Sequence, residues 1–116
     1  MKKTCIFLLH GSRRPKQGEI EGIIDSVVLP DDMESVVAYL ELQEPAFSDV
    51  LKMCPATDEF HILPLFVLEG RHVREDIPEI TNELKKQAPG KTFVVHDHLG
   101  QWDLFKDMLT AQLKSL

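Results

Sequence analysis

The chain has 116 residues, 43% of them hydrophobic and 28% charged, with a formal net charge of −6. That length suits one compact domain, residues 1–116, and is short for two. The acidic balance argues against a nucleic-acid partner, which calls for a basic face, and no apolar run approaches the ~20 residues that span a bilayer.

Met1 to Leu9 combines two lysines with a short apolar run, but His10-Gly11-Ser12-Arg13-Arg14 follows at once and no small-residue cleavage site appears. The segment therefore reads as a first strand and not as a secretory leader. Thr4 to Leu9 (TCIFLL) is continuously apolar, as in a strand buried on both faces. Ile20, Ile23, Ile24, Val27 and Val28 recur at helical spacing, although Gly18 and Gly22 weaken that helix. Ser35 to Leu40 (SVVAYL) is rich in residues that favour strands.

Glu44-Pro45 opens a second predicted helix, with Pro in its first turn and an apolar face of Phe47, Val50, Leu51 and Cys54. Phe60 to Leu65 (FHILPL) is the third strand, ended by Pro64. A loop holding Gly70 leads to a third helix marked by Val73, Ile77, Ile80, Leu84 and Ala88 and stopped by Pro89-Gly90. Thr92 to Val95 is the fourth strand. Trp102, Phe105, Met108, Leu109, Leu113 and Leu116 line a closing amphipathic helix. The two cysteines, Cys5 and Cys54, both fall in apolar segments. They read as reduced core residues, which points to the cytoplasm.

The order βαβαβαβα implies an α/β fold with a parallel sheet and helices on its faces. In such sheets ligands bind beyond the carboxyl ends of the strands. His10 ends the first strand, Glu41 ends the second, and His72 follows the third near the start of its helix. Two neutral imidazoles and a carboxylate suit a borderline divalent metal such as cobalt, iron, nickel or zinc. An unperturbed imidazole titrates near pH ~6.5, so the same groups can accept protons.

Four motifs carry a resemblance over nearly the whole chain: LLHGSR at Leu8 to Arg13, YLELQEP at Tyr39 to Pro45, PLFVLEGRHVREDIP at Pro64 to Pro78, and the weaker HLG at His98 to Gly100. Together they resemble the class II chelatases, and among them the small sirohydrochlorin cobalto- and ferrochelatases of the CbiX and SirB type. The resemblance implies a three-layer sandwich with a four-stranded parallel sheet in flavodoxin-like topology. It implies a lyase that inserts a divalent metal, Co2+ first and Fe2+ or Ni2+ as alternatives, into sirohydrochlorin on the way to cobalamin or siroheme. No prosthetic group is expected, since the metal is a substrate. His10 and His72 match the family's metal-binding and catalytic histidines, and Glu41 its acidic partner. The small members of the family are homodimers, so a second copy is expected to complete the cleft. The stretch from Arg14 to Glu34 departs from the family pattern.

Sirohydrochlorin carries eight carboxylate side chains. Arg13, Arg14, Arg71 and Arg74 flank the two histidines and form a local basic rim for it, with Ser12 as a further hydrogen-bonding group. Other polar residues draw blander readings. His96 and His98 form an H-x-H pair that can bind metal from a strand. His61 reads as a packed or edge residue, and Asp76 as the cap of the third helix. Pro89-Gly90-Lys91-Thr92 lacks the spacing of a phosphate loop. Two other functions compete with the chelatase. One is a non-catalytic metal- or tetrapyrrole-binding module of the same fold. The other is a phosphatase using His10 beside Arg13 and Arg14.

Overall fold

The apolar run near the N-terminus forms β1 (Lys3–Leu9), and its lack of alternation has a direct cause: Thr4 to Leu8 are all buried. The structure is a computed structural model describing residues 1–14 and 18–116, the side chain of His72 excepted; Pro15, Lys16 and Gln17, at the head of the divergent stretch, lie outside the described residues. β1 is central. It pairs in parallel with β2 (Met33–Tyr39) on one side and β3 (Glu59–Pro64) on the other, and β4 (Thr92–Val95) pairs in parallel with β3. The strand order is therefore β2-β1-β3-β4, the order expected of a flavodoxin-like sheet.

Among the described residues, four α-helices connect and follow the strands: α1 (Glu19–Ile24), α2 (Val50–Met53), α3 (Arg71–Gln87) and α4 (Asp103–Lys114). β3 alternates where β1 does not, burying Phe60, Ile62 and Pro64 while Glu59, His61 and Leu63 are half-buried. The main core cluster therefore lies on one face of the sheet. Ile6, Leu8, Ala38, Phe60, Ile62 and Phe93 meet Phe47, Val50, Ile77 and Leu84 from the segments of α2 and α3. Each of the larger side chains, Ala38 aside, contributes about 1.5–3 kcal/mol on burial. Phe60 and Phe93 stack with centroids 5.0 Å apart, tying β3 to β4. The one polar residue in the middle of this run, Thr4, is satisfied by Thr57 through a 2.6 Å hydroxyl contact.

Three elements depart from the sequence pattern. α1 stops at Ile24, leaving Val27 44% and Val28 93% exposed. Its N-cap is Gly18 in a left-handed conformation with no side-chain cap, and Gly22 sits inside it, so little local energy favours extending it. Pro45 does not open α2. Tyr39 N–H donates to Pro45 O and Tyr39 bridges Ala46, which prolongs the β2 ladder. A 3-10 turn (Phe47–Asp49) then leads into a helix of only four residues. Cys54 follows that helix as its C-cap and is half-buried, whereas Cys5 is buried; both are free thiols. Finally, α4 forms as its periodicity predicts, yet neither it nor α1 buries a residue. The helical layer of α2 and α3 is thick, and the second layer is thin.

Candidate active site at the carboxyl edge of the sheet

The ladder does not end with the strands. Leu65 N–H donates to Leu8 O at 2.9 Å, Leu40 N–H to Leu9 O at 2.9 Å, and Glu41 N–H to His10 O at 3.0 Å. The chain leaving β1 and the chain leaving β2 thus stay in register as far as His10 and Glu41, and both residues stand on the same edge. Their side chains meet there, with His10 Nε2 3.1 Å from Glu41 Oε1. Each side chain is a little under half exposed, so the pair is open to solvent and to a ligand.

Two tight turns make this possible. Gly11 has φ +104°, and a Cβ at that position would sit 1.8 Å from Glu41 O. Only glycine lets the two loops touch. On the other side, Leu42 has φ 66° and Gln43 N–H donates back to Glu41 O at 2.8 Å. The reversal returns the Gln43 side chain toward β1, where its Oε1 accepts the Ser12 N–H at 2.8 Å. Ser12 Oγ in turn accepts the Arg14 N–H at 3.2 Å. The HGS and ELQ segments are therefore one hydrogen-bonded unit.

Beside this unit lies a cleft of about 410 Å³, floored by Leu9 to Ser12 and walled by Ile20, Ile23, Tyr39, Leu65 and Phe66. It opens between the loops that follow β1 and β3. This is the crevice where flavodoxin-like sheets bind ligands, and its volume is within the ordinary range for small-molecule sites. An apolar wall with a few polar groups at one end suits a flat ligand of mixed character.

His72 occupies the second position of α3, which starts from Gly70 as N-cap at the same edge of the sheet; its side chain lies outside the described part. Asp76 stands in the second turn of α3 and does not cap it, contrary to the sequence reading; the N-cap is Gly70, without a side-chain cap. Of the four arginines, Arg13 and Arg14 are exposed beside His10. Arg71 lies 3.3 Å from Glu75 and Arg74 3.8 Å from Glu69, so acidic neighbours partly offset the rim on α3.

The H-x-H pair does not act together. His96 turns to His61, with His61 Nδ1 2.9 Å from His96 Nε2, and His98 turns to Glu69, with Nδ1 3.6 Å from Oε2. Among the described residues, no group of three or more His, Cys, Asp or Glu side chains converges as a closed metal cage. Neither thiol is primed as a nucleophile. Burial pushes the Cys5 thiol up to about 11, and Cys54 is raised first by burial and then by Glu34. No described helix is long and apolar enough to cross a membrane.

The sequence pattern missed Gln43 and the apolar wall. Gln43 carried a faint signal, two residues after Glu41 in one motif. Ile20 and Ile23 carried a misleading one, since helical spacing suggests core packing and here it lines a cleft.

A family model described as CbiX matches residues 4–116. The sirohydrochlorin ferrochelatase of Bacillus subtilis (strain 168) is 31% identical over 86 residues, covering 68% of this chain and 32% of that protein. The sirohydrochlorin cobaltochelatase of Priestia megaterium is 26% identical over 117 residues, covering 97% of this chain and 38% of that protein. The chain thus spans about a third of the length of these relatives. Among solved structures, a CbiX protein from Marinobacter aquaeolei VT8 superposes with a TM-score of 0.71 at 24% identity, covering 98% of this chain and 99% of that one. Sirohydrochlorin chelatase SirB from Bacillus subtilis subspecies spizizenii, in complex with cobalt, superposes with a TM-score of 0.76 at 24% identity, covering 100% of this chain and 51% of that one. With the family model matched from Thr4 to the last residue, over the motifs that build the His10–Glu41 edge, the chain belongs to the CbiX family.

Proposed function

We propose that the chain acts as one chelatase domain and inserts a divalent metal into sirohydrochlorin, with Co2+ as first candidate and Fe2+ and Ni2+ as alternatives. The observation that carries this reading is the His10–Glu41 pair at the mouth of the cleft. Two ligand atoms bound to one metal at about 2.05 Å lie about 2.9 Å apart at a right angle and about 3.3 Å apart at the tetrahedral angle. The 3.1 Å between His10 Nε2 and Glu41 Oε1 fits that window. The named relatives, sirohydrochlorin ferrochelatase and cobaltochelatase, support the substrate and leave the metal open.

The chemistry needs a metal held by few, exchangeable ligands and a place for two protons. An imidazole and a carboxylate leave most of the coordination sphere to water, which the pyrrole nitrogens can displace. As the metal enters, two pyrrole N–H protons leave. His10, Glu41 and the second imidazole, His72, are the acceptors at this edge. Ser12, Arg13, Arg71 and Arg74 hold the substrate's carboxylates, and the apolar wall takes the face of the macrocycle. The working unit is a homodimer. Its support is the exposed apolar stripe of α4. The two free thiols, one buried and one half-buried, favour a reducing compartment such as the cytoplasm.

The test is to mix purified protein with sirohydrochlorin and Co2+, Fe2+ or Ni2+ in turn and follow the absorption change of the macrocycle. At least one metal should be inserted faster than in buffer. His10→Ala and His72→Ala should each lower the rate by on the order of 100-fold or more. Rates equal to buffer with all three metals would remove the chelatase reading; binding of the tetrapyrrole without turnover would assign a binding module instead.

A further inference from the structure

We propose a second divalent-metal site on this chain, formed by His61 and His96 on the sheet face beside β3 and β4. Glu59 and His61 point to the same face of β3, two residues apart, and His96 follows β4, held in register by its N–H to Ile62 O at 3.0 Å. The three side chains form a line. Glu59 Oε2 lies 2.9 Å from His61 Nε2, and His61 Nδ1 lies 2.9 Å from His96 Nε2. Lys3 Nζ sits 3.9 Å from the same Glu59 oxygen and steadies the carboxylate from the other side.

The ring geometry identifies the interaction. The imidazole centroids are 5.2 Å apart and the planes differ by 21°. An imidazole radius is ~1.15 Å, so a 2.9 Å N···N contact between two rings in line gives that centroid distance. The rings therefore meet edge to edge, sharing one proton, and are not stacked face to face. The carboxylate fixes the tautomer. Glu59 accepts the Nε2 proton of His61, which leaves the Nδ1 lone pair directed at His96, and His96 Nε2 donates to it.

A carboxylate behind one histidine, with that histidine's other nitrogen aimed at a second imidazole, is the arrangement that orients metal-ligating histidines. Two nitrogens bound cis to one metal at about 2.05 Å lie about 2.9 Å apart, so the His61 and His96 nitrogens are already at that separation, and a tilt of the His96 ring off the hydrogen-bond line turns both toward one metal. A metal lies off the line between the two nitrogens, and the proton that His96 Nε2 gives up as it becomes a ligand passes to solvent. His96 is exposed and free to tilt its ring, while His61 is held by Glu59. With two protein ligands, water fills the other positions, so the site suits borderline cations that accept imidazole, such as Co2+, Ni2+ and Zn2+. The site lies on the β3–β4 half of the sheet, away from His10 and Glu41 on the β1–β2 half, and does not depend on the chelatase reading.

The experiment measures Co2+ bound at saturation by equilibrium dialysis, with NMR of the imidazole ring protons as a second readout. In a His10→Ala background, Co2+ should selectively broaden the ring signals of His61 and His96. His96→Ala, an exposed position that leaves the core untouched, should remove one equivalent, and His61→Ala should do the same. Glu59→Gln, which keeps the shape and loses the charge, should weaken this binding about 10- to 100-fold. Unchanged stoichiometry in His96→Ala, or no broadening of the His61 and His96 signals, would overturn the proposal. Sirohydrochlorin metallation by the native chain is read separately, so either result stands whatever the fate of the chelatase assignment.

Discussion

Gly11 is where a single missing carbon decides the geometry of the site. Its φ of +104° alone costs a non-glycine residue about 1–3 kcal/mol, and an added Cβ would press into Glu41 O at 1.8 Å. Gly11→Ala should therefore lower the urea midpoint and also part His10 from Glu41, reducing metal insertion at least tenfold. Gly22→Ala is the matched control. It lies within α1, a Cβ there meets nothing within 4 Å, and the change should stabilise slightly, by about 0.5–1 kcal/mol. Equal effects at the two positions would mean that the contact between the HGS and ELQ loops does not matter. Cys5 gives a second residue-scale prediction. Its thiol is 5% exposed and burial lifts it from 9.0 to about 11. Below pH 9 the thiol is neutral in both folded and unfolded chains, and its contribution to stability is fully present. Between pH 9 and about 11 the unfolded chain releases the proton and the folded chain keeps it, so stability falls with rising pH. At about 1.4 kcal/mol per pH unit the loss is roughly 2–3 kcal/mol. Urea midpoints measured from pH 8 to pH 11 should fall accordingly in the native chain and more shallowly in Cys5→Ala; parallel curves for the two would show that Cys5 is not the group responsible.

At the scale of elements, what was legible followed from how each one is stabilised. Every strand was visible within one or two residues, because burial on one or both faces writes itself into the run of side chains: TCIFL is buried throughout and TFVV pairs along its length. α3 was visible because its seventeen residues place Val73, Ile77, Ile80 and Leu84 on one stripe against the core. The short connections were not. α1 buries none of its residues, and α2 is only four residues long, so Val27, Val28 and Pro45 pointed to helix where the chain turns instead. The site divides in the same way. His10 and Glu41 were legible because each closes a strand and the topology brings strand ends together. Gln43 was not, because its role depends on a reversal at Leu42 that no spacing rule announces. The Gly100 of the HLG motif shows how a weak motif gains a reason in three dimensions: a Cβ there would lie 1.7 Å from Val67 O, so the turn before α4 can pack under the loop after β3 only with glycine.

The whole molecule is longer than its residue count suggests. A chain of 116 residues packed as an average globule has a radius of gyration of about 13 Å, whereas this one has 15.0 Å, with extents of 49 × 33 × 27 Å. The exposed side chains of α4 go with that shape. Leu104, Met108, Leu109 and Leu113 are 75%, 55%, 49% and 69% exposed, and Leu116 beyond the helix is 91% exposed. They recur at helical spacing and so form a stripe, not scattered single residues. Such a stripe on an acidic chain marks an association surface, and a second copy is the occupant that the homodimer proposal supplies. Because these side chains are exposed in the single chain, charging them should change its folding free energy by no more than about 0.5 kcal/mol, while placing a charge in an apolar interface should separate the copies. Light scattering on the eluting native protein should give about twice the 13.2 kDa chain mass, and the Met108→Glu, Leu113→Glu double variant should give the single-chain mass with an unchanged far-UV spectrum. If the cleft is completed across the interface, that monomer should also lose metal insertion while keeping its His10–Glu41 edge. A native chain that elutes as a monomer at every concentration, or a double variant that remains a dimer, would remove α4 as the contact and leave its apolar stripe to another partner.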